Sequence, residues 1–453
     1  MRPPLEICIL AAGQGKRMKS ARPKVLHTIA GKPMLAHLLA TAQALQPTRI
    51  HVVIGRGAEA VRRAFVESPV NFVQQEEQLG TGHAVMQALP QVSSDARLLI
   101  LVGDAPLVTA ETLACLVAES CDLGILTVDA ANPFNYGRIV RGEGVKVERI
   151  VEERDADPEE QKINEINTGI MIADVSLLST WLSQLTRDNN QKEYLLTDIV
   201  GIASRDGLRV HAVKAAGEAE VSGVNNRAQL AALEREYQRR QAEHLMAAGV
   251  QLMDPARLDV RGELIVGADV TIDINCVFEG QCRLGNNVTI GPNCLVRDVM
   301  IGDNVEIRAN SVIEGARIGE DCTIGPFARI RPGTVLARGV GIGNFVEVKN
   351  TTVGEGTKAS HLSYLGDATL GAGVNIGAGT ITCNYDGQTK HQTHIGDHVF
   401  VGSNTALVAP VELGSGATIG AGSTITRNVD PGQLAVARGR QKNISHWKRP
   451  DKS

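Results

Sequence analysis

The chain has 453 residues, 43% hydrophobic and 21% charged, which fits about two to three globular domains and excludes a disordered chain. Its 50 acidic residues outnumber 46 basic ones, and it has only 2 Trp, 5 Tyr and 7 Phe, so it lacks the basic, base-stacking character of a nucleic-acid or anionic-membrane binder. Its 8 cysteines form no CxxC pair, which argues against a disulfide framework or a zinc cage.

The first apolar run, Ile7-Cys8-Ile9-Leu10-Ala11-Ala12, is too short for a signal-peptide core. No run elsewhere reaches the ~20 residues of a membrane helix. The expected location is therefore cytoplasmic. This run reads as a strand that opens into the glycine loop Gly13-Gln14-Gly15 and the basic segment Lys16 to Lys24. Strand signals recur at Ile50 to Gly55 and at Leu98 to Asp104, with helical patterns between them, such as Pro33 to Leu45. Alternating strands and helices predict a Rossmann-like α/β sheet with its site at the strand carboxyl ends.

The loop does not fit the known dinucleotide fingerprint, because Met18 stands at the third glycine position. A Walker loop fails as well, since no GK[ST] follows at the right spacing. What remains is a set of backbone N–H groups suited to phosphates, with Arg17 and Lys24 as counter-charges. Asp104 ends a buried strand at the functional edge of the sheet. It reads either as a ligand for a hard cation on phosphates or as a cap for the helix after Pro106.

Residues 1–227 hold 17 glycines and residues 249–453 hold 30. Between them, residues 228–248 contain neither Gly nor Pro, and Gly249 follows. This stretch reads as a linker helix with a solvent-exposed charged face. The expected domains are thus 1–227, the helix 228–248, and 249–453.

From Val266 to Ile425 the chain divides into 27 short units, 25 of which begin with Val, Ile, Leu or Phe and 15 of which have Gly second. Such six-residue units predict a parallel β-helix with three strands per coil. The four five-residue units, at Val296, Ile313, Val348 and Leu365, are each the third of their coil, as a three-sided prism requires. Cys276, Cys282, Cys294 and Cys322 fall on inward positions and read as small core residues.

The rule breaks in two places. Ala359 and Thr382 begin units without a large apolar side chain, and a loop from Cys383 to His394 is inserted after Thr382. Breaks in local consistency mark candidate sites. Arg331 and Lys349 occupy equivalent positions in successive coils, ~4.8 Å apart. They either share an anion such as phosphate or splay into water. His361, Ala378, Ser403 and Ala421 form a second column about 14 Å long, three strand spacings. It is either a slot for a slim extended ligand ending at His361 or a set of small residues at tight corners. His361 is correspondingly either catalytic or structural.

The run Leu10 to Met18, with Pro23-Lys24-Val25-Leu26 and Gly31-Lys32-Pro33-Met34-Leu35, resembles the sugar nucleotidyltransferase signature. Together with the hexapeptide region, the chain resembles end to end the family of bifunctional bacterial N-acetylglucosamine-1-phosphate uridyltransferase/glucosamine-1-phosphate acetyltransferases. The resemblance implies a left-handed β-helix, a homotrimer with sites between subunits, and small-molecule substrates only. It implies acetylation of glucosamine 1-phosphate by acetyl-CoA, then coupling of the product to UTP with release of pyrophosphate. The UDP-N-acetylglucosamine formed would supply peptidoglycan and lipopolysaccharide precursors.

Carried over motif by motif, the nucleotide would meet Leu10, Ala11, Ala12, Gly13, Lys24, Gln75, Gly80 and Thr81, with Val102 and Gly103 beside Asp104. The sugar would meet Gly137, Glu152 and Asn167, and Asp104 with Asn225 would hold Mg²⁺. Val102 departs from the family pattern, where a tyrosine is expected. Arg17, Lys24 and Mg²⁺ would offset the triphosphate charge. In the second domain Arg331, Lys349, Tyr364 and Asn375 would bind glucosamine 1-phosphate, and His361 would act as general base, with a histidine reference pKa of ~6.5 suited to that task. Ala378, Asn384, Tyr385, Ser403, Ala421 and Arg438 would line the acetyl-CoA path. Sequence physics alone also leaves open a nucleotidyltransferase carrying the β-helix as a scaffold, or a structural or ligand-sensing assembly.

Overall fold

The computed structural model describes residues 3–142 and 146–449. The chain forms two compact units, Met1–Tyr237 and Gln238–Ser453.

The first unit is built on a sheet with the strand order Val210–Lys214, Leu123–Asp129, Glu165–Asp174, Arg97–Val102, Leu5–Ala11, Arg49–Ile54, Asn71–Gln74. All pair in parallel except Glu165–Asp174, which is antiparallel to both neighbours. The hairpin Arg138–Arg141 and Val147–Val151 attaches to that strand. Strand alternation explains the two cores. Ile7 and Ile9 face Leu35, Leu38 and Leu39 of the helix Met34–Ala44. Cys8 points the other way, toward Val85 and Trp181 of the helices Thr81–Ala88 and Val175–Leu182. Both faces are covered, which is why the strand reads as a continuous apolar run. Burial pushes the Cys8 thiol pKa up to about 12, so it is an inert core residue.

The predicted helix runs from Arg227 to Ala247 and ends at Gly249, which has φ 97°. It is more than an exposed tether. Leu233 is buried in the first unit, where Glu234 accepts a hydrogen bond from the Ala30 N–H at 2.8 Å. Ala242 and Leu245 are buried in the second. Buried Gln238 completes a strand edge there: its Nε2 donates to Val260 O at 3.0 Å and its Oε1 accepts from Val260 N at 2.7 Å.

The second unit is the predicted three-sided prism. One column of parallel pairs joins Ile272, Ile290, Ile307, Ile324, Ile342, Ala359, Ile376, Val401 and Ile419. Each member is at most 3% exposed. Burying one such aliphatic side chain contributes about 1.5–3 kcal/mol. The prism outruns the sequence-based limits at both ends. Pairing begins at Gln251–Leu252 and continues to Leu434–Ala435. The first coil was missed because its long strand, Leu258–Val266, has no six-residue step. The four inward cysteines are buried, and each thiol donates to a carbonyl of the next coil: Gly291, Val296, Arg308 and Ala337. Burial raises all four of their pKa values. Among the described residues no helix is long and apolar enough to cross a membrane.

Candidate functional site

In the first unit a cavity of about 510 Å³ opens at the carboxyl ends of the parallel strands. Its walls include Leu10, Ala11, Ala12, Gly13, Arg17, Lys24, Gln75, Gly80, Thr81, Val102, Gly103, Asp104 and Asn225. Topology brings them together. Leu5–Ala11 lies between Arg97–Val102 and Arg49–Ile54, with Asn71–Gln74 next, so the segments after three of these strands converge on one edge. A Cβ on Gly103 would stand 2.7 Å from Leu10 O, so two strand ends meet too closely for any side chain there. A Cβ on Gly13 would meet nothing within 4 Å. Nothing in the chain itself requires a glycine at Gly13, whereas a ligand backing onto the loop would.

The polar wall is compact. Lys24 Nζ is ion-paired with Asp104 and donates to Asn225 Oδ1 at 3.1 Å. The segment that carries Asn225 is held in place because the Val224 N–H donates to Asp104 O at 2.9 Å. The cap reading of Asp104 falls, because the next helix, Ala110–Ala118, is capped by Thr109, whose hydroxyl accepts from Thr112 N at 3.2 Å. Two oxygens, Asp104 Oδ2 and Asn225 Oδ1, converge on one cationic atom. That donor set suits a hard cation completed by phosphate oxygens and water. Among the described residues there is no cluster of three or more His, Cys, Asp or Glu groups able to hold a metal by themselves. Arg17 makes no hydrogen bond or ion pair among the described residues, so its guanidinium is available to a ligand.

Gly137, Glu152 and Asn167 are not walls of this cavity, but they are brought together. The Asn167 N–H donates to Gly137 O at 2.8 Å, and a Cβ on Gly137 would approach Glu152 Oε1 at 3.5 Å. Glu152 accepts from the Thr197 hydroxyl at 3.1 Å; burial, outweighing that bond, raises its pKa. The link to the cavity is Val102, whose Cγ1 would lie 2.8 Å from a Cβ on Gly169. Sequence reading did not assign Gln14, Gly15, Lys16, Val25, Gln78, Ala84 and Glu193, which also line the cavity. Gln14, Gly15, Lys16 and Val25 lie inside the motifs already quoted, and Gln78 stands two residues before Gly80. Glu193 comes from a distant loop that carries no motif.

In the second unit the site straddles one corner of the prism. Arg331, Lys349 and Tyr364 lie on one face, where Arg331 N donates to Val348 O at 2.8 Å and Glu347 pairs with Tyr364. His361 and Asn375 lie on the preceding face, and Ala378, Ser403 and Ala421 each follow the end of one of its strands, at Ile376, Val401 and Ile419. An outward charge ladder climbs the first of these faces: Arg261 to Glu279 at 3.1 Å, Glu279 to Arg297, and Arg297 to Glu314 at 2.8 Å. The alternation breaks where Lys349 follows Arg331. Each of these cations has its own carboxylate, Glu347 at 2.8 Å from Arg331 and Asp367 at 3.8 Å from Lys349. The expected repulsion is therefore already relieved in part. A second ammonium stands close by: Lys349 holds the Lys390 pKa below the ordinary lysine range. Lys390 was missed as a site residue, and its signal was membership of the inserted loop.

Asp367 organises this face. It is 3% exposed and accepts from Asn350 Nδ2 at 2.6 Å and from Asn384 Nδ2. Burial would raise its pKa, but those two bonds and Lys349 outweigh burial and lower it. Asn384 also reaches Tyr364 Oη at 3.5 Å. Tyr385 is exposed and donates to Gly387 O at 2.7 Å. Asp386 accepts from the Gln388 and Thr389 N–H groups and from His391, which braces the loop. On the other face, His361 Nδ1 lies 2.7 Å from Asn344 Oδ1. At the far end of the small-residue column, Arg438 donates to Ala421 O at 2.7 Å. Replacing Asp367 with alanine should release Asn384 and Lys349. Any acyl transfer at this corner should fall about 10- to 100-fold, as measured by steady-state rates, with the chain still folded by circular dichroism.

Three family models match the chain. One is the MobA-like NTP transferase domain, over residues 7–146; another is the bacterial transferase hexapeptide (six repeats), over 392–427. The third, the GMPPB C-terminal domain, matches residues 260–359. The chain is 59% identical to "Bifunctional protein GlmU" of Marinobacter nauticus, covering 99% of this chain and 100% of that one. It is 54% identical to the protein of the same name from Idiomarina loihiensis, over 98% of both chains. It is also 54% identical to that of Pseudomonas putida strain KT2440, over 99% of both.

Proposed function

Because the chain belongs to the family of the bifunctional protein GlmU, we propose specific substrates for its two transferase units. The first unit joins UTP to N-acetylglucosamine 1-phosphate. The second moves acetyl from acetyl-CoA to the amine of glucosamine 1-phosphate. The observation that supports this most directly is identity of 53% or more along nearly the whole chain to proteins named bifunctional.

In the first reaction a phosphate oxygen of the sugar attacks the α-phosphorus of UTP. A P–O bond forms as the bond to the β-phosphate breaks, and pyrophosphate leaves. The glycine loop would cradle the phosphates through its N–H groups, and Lys24 and Arg17 would offset the charge that builds on them. Val102 and Gly103 form the wall behind the triphosphate, and Gly137, Glu152 and Asn167 orient the sugar. Asp104 and Asn225 would hold Mg²⁺, which when bound supplies further charge neutralisation. Lys24 would then move from Asp104 toward the phosphates.

In the second reaction Arg331, Lys349 and Lys390 bind the sugar phosphate, with Tyr364 and Asn375 against the sugar. His361 takes a proton from the amine as the amine nitrogen attacks the thioester carbonyl. The C–S bond breaks, and the coenzyme A thiolate takes that proton back from His361 and leaves as the thiol. The pantetheine arm would lie along Ala378, Ser403 and Ala421, with Asn384 and Tyr385 on one side and Arg438 at the far end.

We further read the protein as a cytoplasmic homotrimer. Phe327, Phe345 and Leu362 stack at the corner beside His361, each about half exposed or more. All three sit at positive φ, where bulky side chains are strained. The two phenyl rings stack at 5.3 Å. An uncovered apolar column at this cost suits a surface covered by another copy.

Two assays test the substrates. Thiol release from acetyl-CoA should require glucosamine 1-phosphate and proceed without UTP. Pyrophosphate release from UTP should require N-acetylglucosamine 1-phosphate and Mg²⁺. No thiol release from folded protein would reduce the prism to a scaffold.

A further inference from the structure

Lys390 stands at the base of the inserted loop with its side chain exposed. Its backbone is held there. Lys390 pairs across the loop with Tyr385 in an antiparallel bridge, and the next N–H, that of His391, donates to Asn384 O at 2.9 Å. The side chain runs to the prism wall, where its nitrogen shares a hydrogen bond with that of Lys349.

Two ammonium ions cannot make such a bond, because each has hydrogens and no lone pair. One of the two nitrogens must be a neutral amine. Lys349 is ion-paired with Asp367 at 3.8 Å, whereas Lys390 makes no ion pair among the described residues. Lys349 is therefore the ammonium that donates, and Lys390 is the amine that accepts. The groups facing Lys390 are Lys349, Asp367 and Tyr364. The bond from Lys349 and its charge lower the Lys390 pKa, and the opposing pull of Asp367 and Tyr364 does not cancel them. A lysine discharged by a neighbouring cation is a nucleophile.

Its place matters as much as its charge. In glucosamine 1-phosphate the phosphate sits on one ring carbon and the acceptor amine on the adjacent one. A nitrogen that grips the phosphate therefore stands close to the substrate amine. A thioester delivered to that amine is within reach of Lys390 once the sugar phosphate is gone.

We propose that Lys390 is a second acetyl acceptor: with acetyl-CoA bound and glucosamine 1-phosphate absent, the chain acetylates its own Lys390. The nitrogen lone pair attacks the thioester carbonyl. A C–N bond forms, the C–S bond breaks, and the proton shed by the nitrogen passes to the coenzyme A thiolate, which leaves as the thiol. The product is a neutral amide without the charge that binds phosphate. The site is thereby turned down when acetyl-CoA outlasts its amino-sugar acceptor. Self-acetylation rests on the acetyl-transfer reading above and adds a second acceptor to it.

The test incubates the full chain with acetyl-CoA alone and follows each lysine by peptide mass spectrometry. Lys390 should be acetylated at least about tenfold faster than Lys192, an exposed lysine of the first unit. N-acetylglucosamine 1-phosphate carries the phosphate but no free amine, so it should suppress the reaction at Lys390 and not at Lys192. N-acetylglucosamine, without the phosphate, should suppress neither. Lys349→Ala removes the neighbouring cation, and Lys390 should then react no faster than Lys192. Modified protein should have a raised KM for glucosamine 1-phosphate. If Lys349→Ala does not fold, protection by N-acetylglucosamine 1-phosphate decides the matter on the wild type alone. Lys390 reacting no faster than Lys192, or as fast with N-acetylglucosamine 1-phosphate present, would overturn the inference in protein that still acetylates glucosamine 1-phosphate, and would leave that reading intact. An unchanged KM after modification would overturn the turning-down of the site. A chain that acetylates neither acceptor would overturn the acetyl-transfer reading and this inference together.

Discussion

Replacing Lys24 with alanine should lower UTP-dependent pyrophosphate release by about 10²–10³-fold and leave thiol release from acetyl-CoA unchanged. The reason lies in the charge balance of the cavity wall. Lys24 is the cation that meets both Asp104 and Asn225. Removing it deletes a positive charge and also leaves the Asp104 carboxylate facing the space that four negative phosphate charges must enter. The loss should therefore appear in kcat/KM and be partly relieved by raising Mg²⁺. Lys24→Arg should recover only part of the rate, because a planar guanidinium places its charge differently from a compact ammonium. Asp104→Asn should show the opposite pattern: nucleotide still binds, but the Mg²⁺ dependence shifts to higher concentration. Full activity of Lys24→Ala would remove this residue from the mechanism. Loss of both activities together would point to misfolding instead.

How much of this was legible in the sequence differs between the units. The prism announced itself because its physics is periodic. A six-residue step must put an aliphatic residue inward and a small residue at the next corner, so Ile272 to Ile419 could be aligned by counting. The ends were missed where the step changes, at the long strand Leu258–Val266 and after Ile425. In the first unit the strand and glycine loop were clear, but the cavity is assembled from segments more than 200 residues apart. No local pattern pairs Lys24 with Asn225. Asp367 and Asn344 escaped notice for another reason: each occupies an ordinary repeat position, and only the stacked coil shows what its side chain meets.

Replacing His361 with alanine should lower acetyl transfer by about 10²–10⁴-fold, with UTP-dependent pyrophosphate release intact. The geometry explains why this histidine can act as a base. The Asn344 amide oxygen only accepts, so at 2.7 Å it holds the ring hydrogen on Nδ1. Nε2 is then unprotonated and free to take the proton of the attacking amine. A protonated ring cannot do this, so acetyl transfer by the wild type should decline in acid. In His361→Ala that acid limb should disappear from the residual rate. Asn344→Ala separates orientation from basicity. It keeps the imidazole but frees both its rotation and its tautomer, so the expected loss is about tenfold, and the acid limb should survive. Asn344→Asp, which can still accept from Nδ1, should restore most of the rate. If His361→Ala lost activity while keeping the acid limb, the titrating base would be another group. Asp367 is buried on the adjoining face, but two amide donors and the Lys349 charge lower its pKa, which makes it a poor proton acceptor. What sets His361 apart at this corner is a ring nitrogen left open for the amine proton while Asn344 holds the other.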